Sequence, residues 1–379
     1  LARVEVSEAW LALIDGRTKA TAEHAGRALA AATDGSDTWF RAAGLVGSTA
    51  PYSGRLDLAR DAGDRLSARW ARDGVGDARL AHAGARLVGS LISCGASHLC
   101  PELVRRFVEL PADAPVPDAA RMWLEQARAF IFVDAGDHAA AAQSFLAAST
   151  AMWAHGETTL AVAQRANAAD ELLKVGAWAR AEAVARALEG EALPGRLALV
   201  LRQYAGLAAA FQGRLDAGVA EVDLALAAWD VALVRGQIRA RLAQLAVAAG
   251  ELDRAEALAE SAVESLARHP PHLPGALATR SRVRRARGEL AGAREDADVA
   301  WAALVETGHR LRRAPLVRLA FIDAVAADGD AARAGSLLVD ARAALLSAAA
   351  RISDEALRES FLAAVPEHAE TLRRAAAAG

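Results

Sequence analysis

Nine glycines recur along the chain at near-constant intervals, in steps of 37 to 41 residues: Gly16, Gly54, Gly95, Gly136, Gly176, Gly213, Gly250, Gly288 and Gly329. A period of roughly 20 to 50 residues marks stacked supersecondary units rather than a single globular core. The residue five places after each glycine is small throughout: Thr21, Ala59, Cys100, Ala141, Ala181, Gly218, Ala255, Ala293 and Ala334. Seven places before, Ala9, Gly47, Ala129, Ala169, Gly206, Ala243 and Ser281 are small, while Val88 and Ile322 break the rule. One unit explains all three registers. It is a helix, a turn whose glycine adopts φ > 0, and a second helix that crosses the first closely enough to need small side chains.

These registers resemble the tetratricopeptide repeat (TPR), whose core signature is a small residue, then seven residues to Gly, then five to Ala. Ala28, Ala148, Ala225, Ala262, Ala300 and Ala341 match a further alanine twelve residues past the turn. The step is longer than the usual 34 or so residues of that family. It resembles the repeats of large bacterial regulators, in which sensor arrays accompany Ser/Thr kinase or STAND-type ATPase modules. The tail from Ile352 to His368 is similar to the closing segment of such arrays, with His368 at a position where Asn is expected. The resemblance implies an all-α, TPR-like α-solenoid of about nine helical hairpins, forming a right-handed superhelix over residues 1–352. A C-terminal capping segment over 353–379 follows.

Composition agrees with the all-α reading. Apolar residues make up 54% of the 379 and aromatics only 5%, so the core is built mainly from Ala, Leu and Val. Alanine is the strongest helix former, and close crossings replace a few large contacts with many small ones. Two proline-rich joints, Pro111–Pro117 and His269–Pro274, fall between hairpins, where a helix must stop in any case. The formal net charge of −3 gives no global attraction to nucleic acid or to an anionic membrane. No apolar run reaches the roughly 18 residues of a membrane span and no signal peptide opens the chain, which makes cytoplasmic residence the expectation. The first residue is Leu1 rather than Met, so an effector domain upstream is expected as well.

Catalytic signatures are missing. Cys94, His98 and Cys100 offer three ligands of two types in seven residues, but a structural zinc needs four ligands, and Cys100 already fills a small-residue register. The two lysines, Lys19 and Lys174, have no phosphate-loop context, and Asp73-Gly-Val-Gly-Asp77 lacks the third glycine of a dinucleotide fingerprint. The expectation is a protein that is not an enzyme and carries no cofactor or metal.

Charge is more informative. The first helix of the eighth hairpin carries Arg280, Arg282, Arg284, Arg285 and Arg287, and the preceding one carries Arg235, Arg239 and Arg241. The second helices are acidic, with Glu251, Asp253, Glu256, Glu260 and Glu264 in one and Glu289, Glu295, Asp296, Asp298 and Glu306 in the next. Since first helices line the concave face in the family, the resemblance implies a basic groove with an acidic outside. Arg165, Arg202, Arg239 and Arg318 each precede a turn glycine by eleven residues, a repeated register that points to structure. Arg241, Arg282 and Arg285 are the groove residues expected to meet a partner, and reversing the last two is expected to leave the fold intact.

The function expected is a non-catalytic protein-interaction scaffold or sensor module of a larger bacterial signalling protein. It binds a peptide or helix, acidic or phosphorylated, in the groove. Two alternatives carry different chemistry: a sensor of a small-molecule inducer attached to a STAND-type ATPase, and an accessory domain of a caspase-like protease or defence effector.

Overall fold

A computed structural model of the chain describes residues 1–15, 17–74, 76–110, 116–191, 193, 195–228, 231–308, 311 and 313–378. Among the described residues there are twenty α-helices and no strand. Cα distances divide the chain into two compact units, residues 1–165 and 166–379.

The first unit holds α1 (Ala2–Ile14), α2 (Thr18–Ala31), α3 (Asp37–Thr49), α4 (Leu56–Asp73), α5 (Ala78–Ser93), α6 (Pro101–Glu109), α7 (Asp118–Ala135) and α8 (His138–Ala154). Helix α9 (Thr158–Lys174) straddles the division. The second unit continues with α10 (Trp178–Arg186), α11 (Gly195–Phe211), α12 (Leu215–Ala228), α13 (Ala232–Ala248), α14 (Leu252–Leu266), α15 (Leu273–Arg287) and α16 (Leu290–Glu306). It ends with α17 (Ala314–Ala327), α18 (Ala331–Ala349), α19 (Glu355–Ala363) and α20 (Pro366–Ala378).

The predicted turn glycines do separate successive helices. Eight of them, from Gly54 to Gly329, have φ between 71° and 86°, and Gly16 lies outside the described residues. Gly288 shows why the position wants glycine. At φ 85° its own N–H donates to the Arg285 carbonyl at 3.0 Å and the next N–H, of Glu289, donates to Arg284 at 2.9 Å. Two carbonyls that α15 would leave open are thereby satisfied, in a conformation that costs any residue with a Cβ.

The two small-residue registers meet each other across the hairpin. Ser281 Oγ, seven before the turn, donates to the Ala293 carbonyl, five after it, at 2.7 Å. In the hairpin of α11 and α12 both registers are glycine, and a Cβ added at Gly206 would lie 2.8 Å from the Gly218 carbonyl oxygen. Ala243 and Ala255 share one buried cluster at 0% exposure. Val88 and Ile322, the larger residues in that register, are buried all the same.

In the first unit the scarce aromatics are seated over glycines. A Cβ at Gly84 would come within 3.0 Å of the Phe107 ring and one at Gly89 within 2.8 Å of Phe130. Cys100 is buried against Gly63, as its packing register predicts, and burial pushes its thiol up to about 12. His82 stacks on Trp123 at 3.9 Å with its Nε2 buried and without a hydrogen bond, and burial lowers its pKa to about 4. Helix starts take side-chain caps where the sequence offers them. Ser36, Asp137, Asp330 and Asp354 accept from the N–H group three residues on.

Candidate functional site

The arginines of α15 sort into two faces by helical spacing. Arg280, Arg284 and Arg287 follow at i, i+4 and i+7 and turn toward the second helices. Arg280 forks onto Asp296 of α16 with donors at 2.7 and 2.8 Å and reaches Glu260 of α14 at 2.8 Å. Arg284 donates to the same two carboxylates at 3.0 and 3.2 Å, and Arg287 donates to Asp253 at 2.7 Å. The acids of the second helices therefore neutralise three of the five arginines that the sequence places on a basic groove.

Arg282 and Arg285 lie on the opposite side, where the next first helix and the C-terminal helix meet them. Arg282 Nη2 donates to Glu370 of α20 at 2.6 Å, and its Nε is 3.5 Å from Asp323 Oδ2 on α17. Arg285 Nη1 is 3.3 Å from the same oxygen. Arg374 of α20 donates to Asp323 Oδ1 at 2.6 Å. The Asp323 side chain is 3% exposed, so three guanidinium groups converge on one buried carboxylate. The expectation that reversing Arg282 and Arg285 spares the fold is corrected here. Both sit on a buried acid, and a reversal would set carboxylate against carboxylate in a poorly solvated place.

One turn further along, Arg313 Nη2 donates to Glu367 of α20 at 2.7 Å and to Gln244 of α13 at 2.8 Å. Burial works against the charge of Glu367, but the Arg313 guanidinium and His368 beside it outweigh that and hold its pKa at about 2. His368 itself is buried and hydrogen-bonded through Nδ1 to the Phe361 carbonyl at 2.8 Å, so it ties α20 to α19. The third residue expected in the groove, Arg241, projects from α13 and donates to Asp170 of α9 at 2.9 Å. Burial opposes its charge, and Asp170 more than compensates, raising its pKa. Lys174 reaches the other oxygen of Asp170 at 2.9 Å.

Arg241 and Arg313 line a cleft of about 60 Å³ together with Lys174, Asp170, Gln237 and His272, over an apolar wall that includes Leu266 and Leu311. Arg282 and Arg285 belong to a neighbouring cluster along α15. The structure thus splits the three expected groove residues between a cleft at α9 and α13 and an ion-pair network under α20. Arg313 belongs to the basic first-helix residues that the sequence offers for the groove, whereas sequence reasoning missed Asp323, Glu367 and Glu370. Their signal was the i, i+3 carboxylate pair at 367 and 370 in a tail otherwise read as a cap.

Of the arginines at the repeated register, Arg165 and Arg318 have their pKa lowered by burial, and Arg165 Nε is buried without a hydrogen bond. Arg202 lies 3.5 Å from Glu221, and Arg239 binds Ser261 and lies 3.9 Å from Asp223. Trp123 and Trp178 are packed against His82 and Phe211, whereas Trp10 is 48% exposed on α1. Among the described residues no helix is long and apolar enough to cross a membrane.

No protein-family model matches the chain, and no curated protein matches it. Among solved structures, a Rap protein in complex with competence and sporulation factor aligns at a TM-score of 0.58 with 11% identity, over 100% of this chain and 99% of that one. The fold is a TPR-like α-solenoid. The apo form of RapI (TM-score 0.43, 10% identity, 100% and 97% of the two chains) and yeast Tom70 (0.41, 12%, 100% and 88%) also align. At these identities the likeness is one of fold.

Proposed function

We propose that this chain is a non-catalytic binding scaffold, the sensor or interaction region of a larger bacterial signalling protein in the cytoplasm. The first helices of its second unit take a peptide or helix by its carboxylates, through Arg241, Arg282 and Arg285. The observation that supports this reading most is that the face formed by α15 and α17 already accommodates a helix, α20, whose Glu370 sits on Arg282. Guanidinium groups fit carboxylates in a fixed fork, and a helix laid along such a face meets several at once. A Rap protein with a like fold was solved with a bound factor, so this architecture can hold a ligand.

A second reading, a sensor of a small anionic effector, draws on the cleft. Arg241 has five donors, and one is engaged by Asp170. The volume of about 60 Å³ admits roughly four waters, or a small head group in their place.

A display library of twelve-residue peptides panned on the full chain tests the main reading. Enrichment of acidic sequences whose binding falls in Arg282→Gln and with added salt is expected. No enrichment, or enrichment indifferent to Arg282, Arg285 and Arg241, would refute it.

A further inference from the structure

Helix α20 and helix α19 close the chain in chemically different ways. The buried side of α19 is apolar, Leu357 and Phe361, with Ile352 before it and Val365 after it. The side of α20 turned toward the repeats carries Glu367, Glu370, Thr371 and Arg374, with Ala375 the apolar member. A helix whose task is to seal the end of a solenoid needs an apolar face against the last hairpin. Helix α20 meets α17 and α18 with a mostly polar side, while α19 packs at the turn between α9 and α10, where Ala364 and Ser360 lie against Gly176.

The polar face of α20 makes three charged contacts far back in the chain. Glu367 meets Arg313, Glu370 meets Arg282, and Arg374 meets Asp323. Buried ion pairs return in Coulomb energy about what their desolvation costs, so such contacts specify a partner more than they hold it. The network is also incompletely bonded. Asp323 Oδ2 is buried with no hydrogen bond of good geometry, although two guanidinium groups lie 3.3 and 3.5 Å away.

We propose that α20 is the chain's own occupant of the recognition face, and that a partner helix with two carboxylates three residues apart and a cation four residues beyond displaces it. The inference rests on the scaffold reading above and names its partner. Such a helix offers the same contacts to Arg313, Arg282 and Asp323 that Glu367, Glu370 and Arg374 now make. The docked α20 acts as a competitor in cis, and a face occupied nine-tenths of the time weakens the apparent affinity of a partner by about ten-fold.

The test uses the full chain and a fluorescein-labelled peptide of residues 365–378, followed by fluorescence anisotropy. The double variant Glu370→Arg/Arg374→Glu undocks its own α20 and should bind the wild-type peptide about ten-fold more tightly than the wild-type chain does. Adding Arg282→Gln should abolish that gain. Equal affinity of wild type and double variant overturns the proposal, as does absence of binding to a double variant whose circular dichroism and melting match the wild type.

Should the variant fail to fold, hydrogen exchange on the wild-type chain decides. Amides of α20 should exchange at least about ten-fold faster than those of α18, and faster still when salt rises from about 0.05 to about 0.5 M, where screening shortens to a few Å. Exchange of α20 in step with α18 at both salt concentrations overturns the proposal. Library peptides that bind while α20 keeps its protection would defeat this inference and leave the scaffold reading standing. A library with no binders at all would defeat the reading itself.

Discussion

Replacing Gly218 by alanine should destabilise the second unit, while the same replacement at Gly335 should stabilise it. Both glycines lie inside helices, where alanine is the better former by about 1 kcal/mol. At Gly335, in α18, a Cβ meets nothing within 4 Å, so the gain should appear nearly whole. At Gly218, in α12, it would lie 2.8 Å from both the Cβ and the backbone N of Ala210, and closer still to the Gly206 carbonyl oxygen. Carbon atoms rest comfortably at about 3.5 to 4.0 Å, so the overlap approaches 1 Å. Its partners belong to the backbone of α11 and cannot rotate aside. The two helices must separate, and overpacking of that kind costs about 1 to 3 kcal/mol, with the upper end expected where backbone meets backbone. Subtracting the helix-propensity gain leaves a net loss of about 2 kcal/mol. Because a repeat leans on its neighbours, amide hydrogen exchange should speed up most in α11 to α13, by roughly thirty-fold for 2 kcal/mol, with α18 little changed. Gly218→Ala as stable as wild type would refute the close crossing and the register that predicts it.

Further outcomes follow from the same geometry. Asp323→Ala leaves Arg282, Arg285 and Arg374 facing one another without their carboxylate and should cost about 3 to 5 kcal/mol in urea unfolding, with a loss under about 1 kcal/mol contradicting the network. Gly176→Ala combines φ +75° with a Cβ 2.7 Å from that of Ala364, so limited proteolysis should cut near α19 sooner than in wild type; an unchanged digest would count against that contact. Acid should act on the two units in different ranges. His82, with its folded pKa lowered from 6.5 to about 4, contributes stability above pH 6.5 that is lost as pH falls toward 4. Glu367, lowered from 4.5 to about 2, contributes stability above pH 4.5 that is lost as pH falls toward 2. Exchange in α5 should therefore accelerate at a higher pH than exchange in α20, and the reverse order would show that these groups do not govern the response.

The registers were legible because they are dictated locally. A turn needs φ > 0 and a close crossing needs small atoms, so Gly288 and the pair Ser281 and Ala293 can be read from spacing alone. The charge pattern misled because spacing along one helix does not say which neighbour faces it. Arg280, Arg284 and Arg287 read as groove residues until Glu260, Asp296 and Asp253 are seen beside them. The return of α20 to α15 and α17 joins residues 51 to 88 positions apart, and no period in the sequence encodes a contact of that range. Asp323 illustrates the limit. Apart from Arg318 it stands in an apolar helix, and only the fold shows that three other arginines surround it.

The most direct test of the account is a hydrogen-exchange footprint of an acidic peptide selected from the display library, taken on the full chain at low salt. The account predicts new protection in the first helices α13, α15 and α17, with none in α14 and α16, and its loss in Arg282→Gln. Protection confined to the second helices, or a footprint unchanged by that substitution, would contradict recognition by this face.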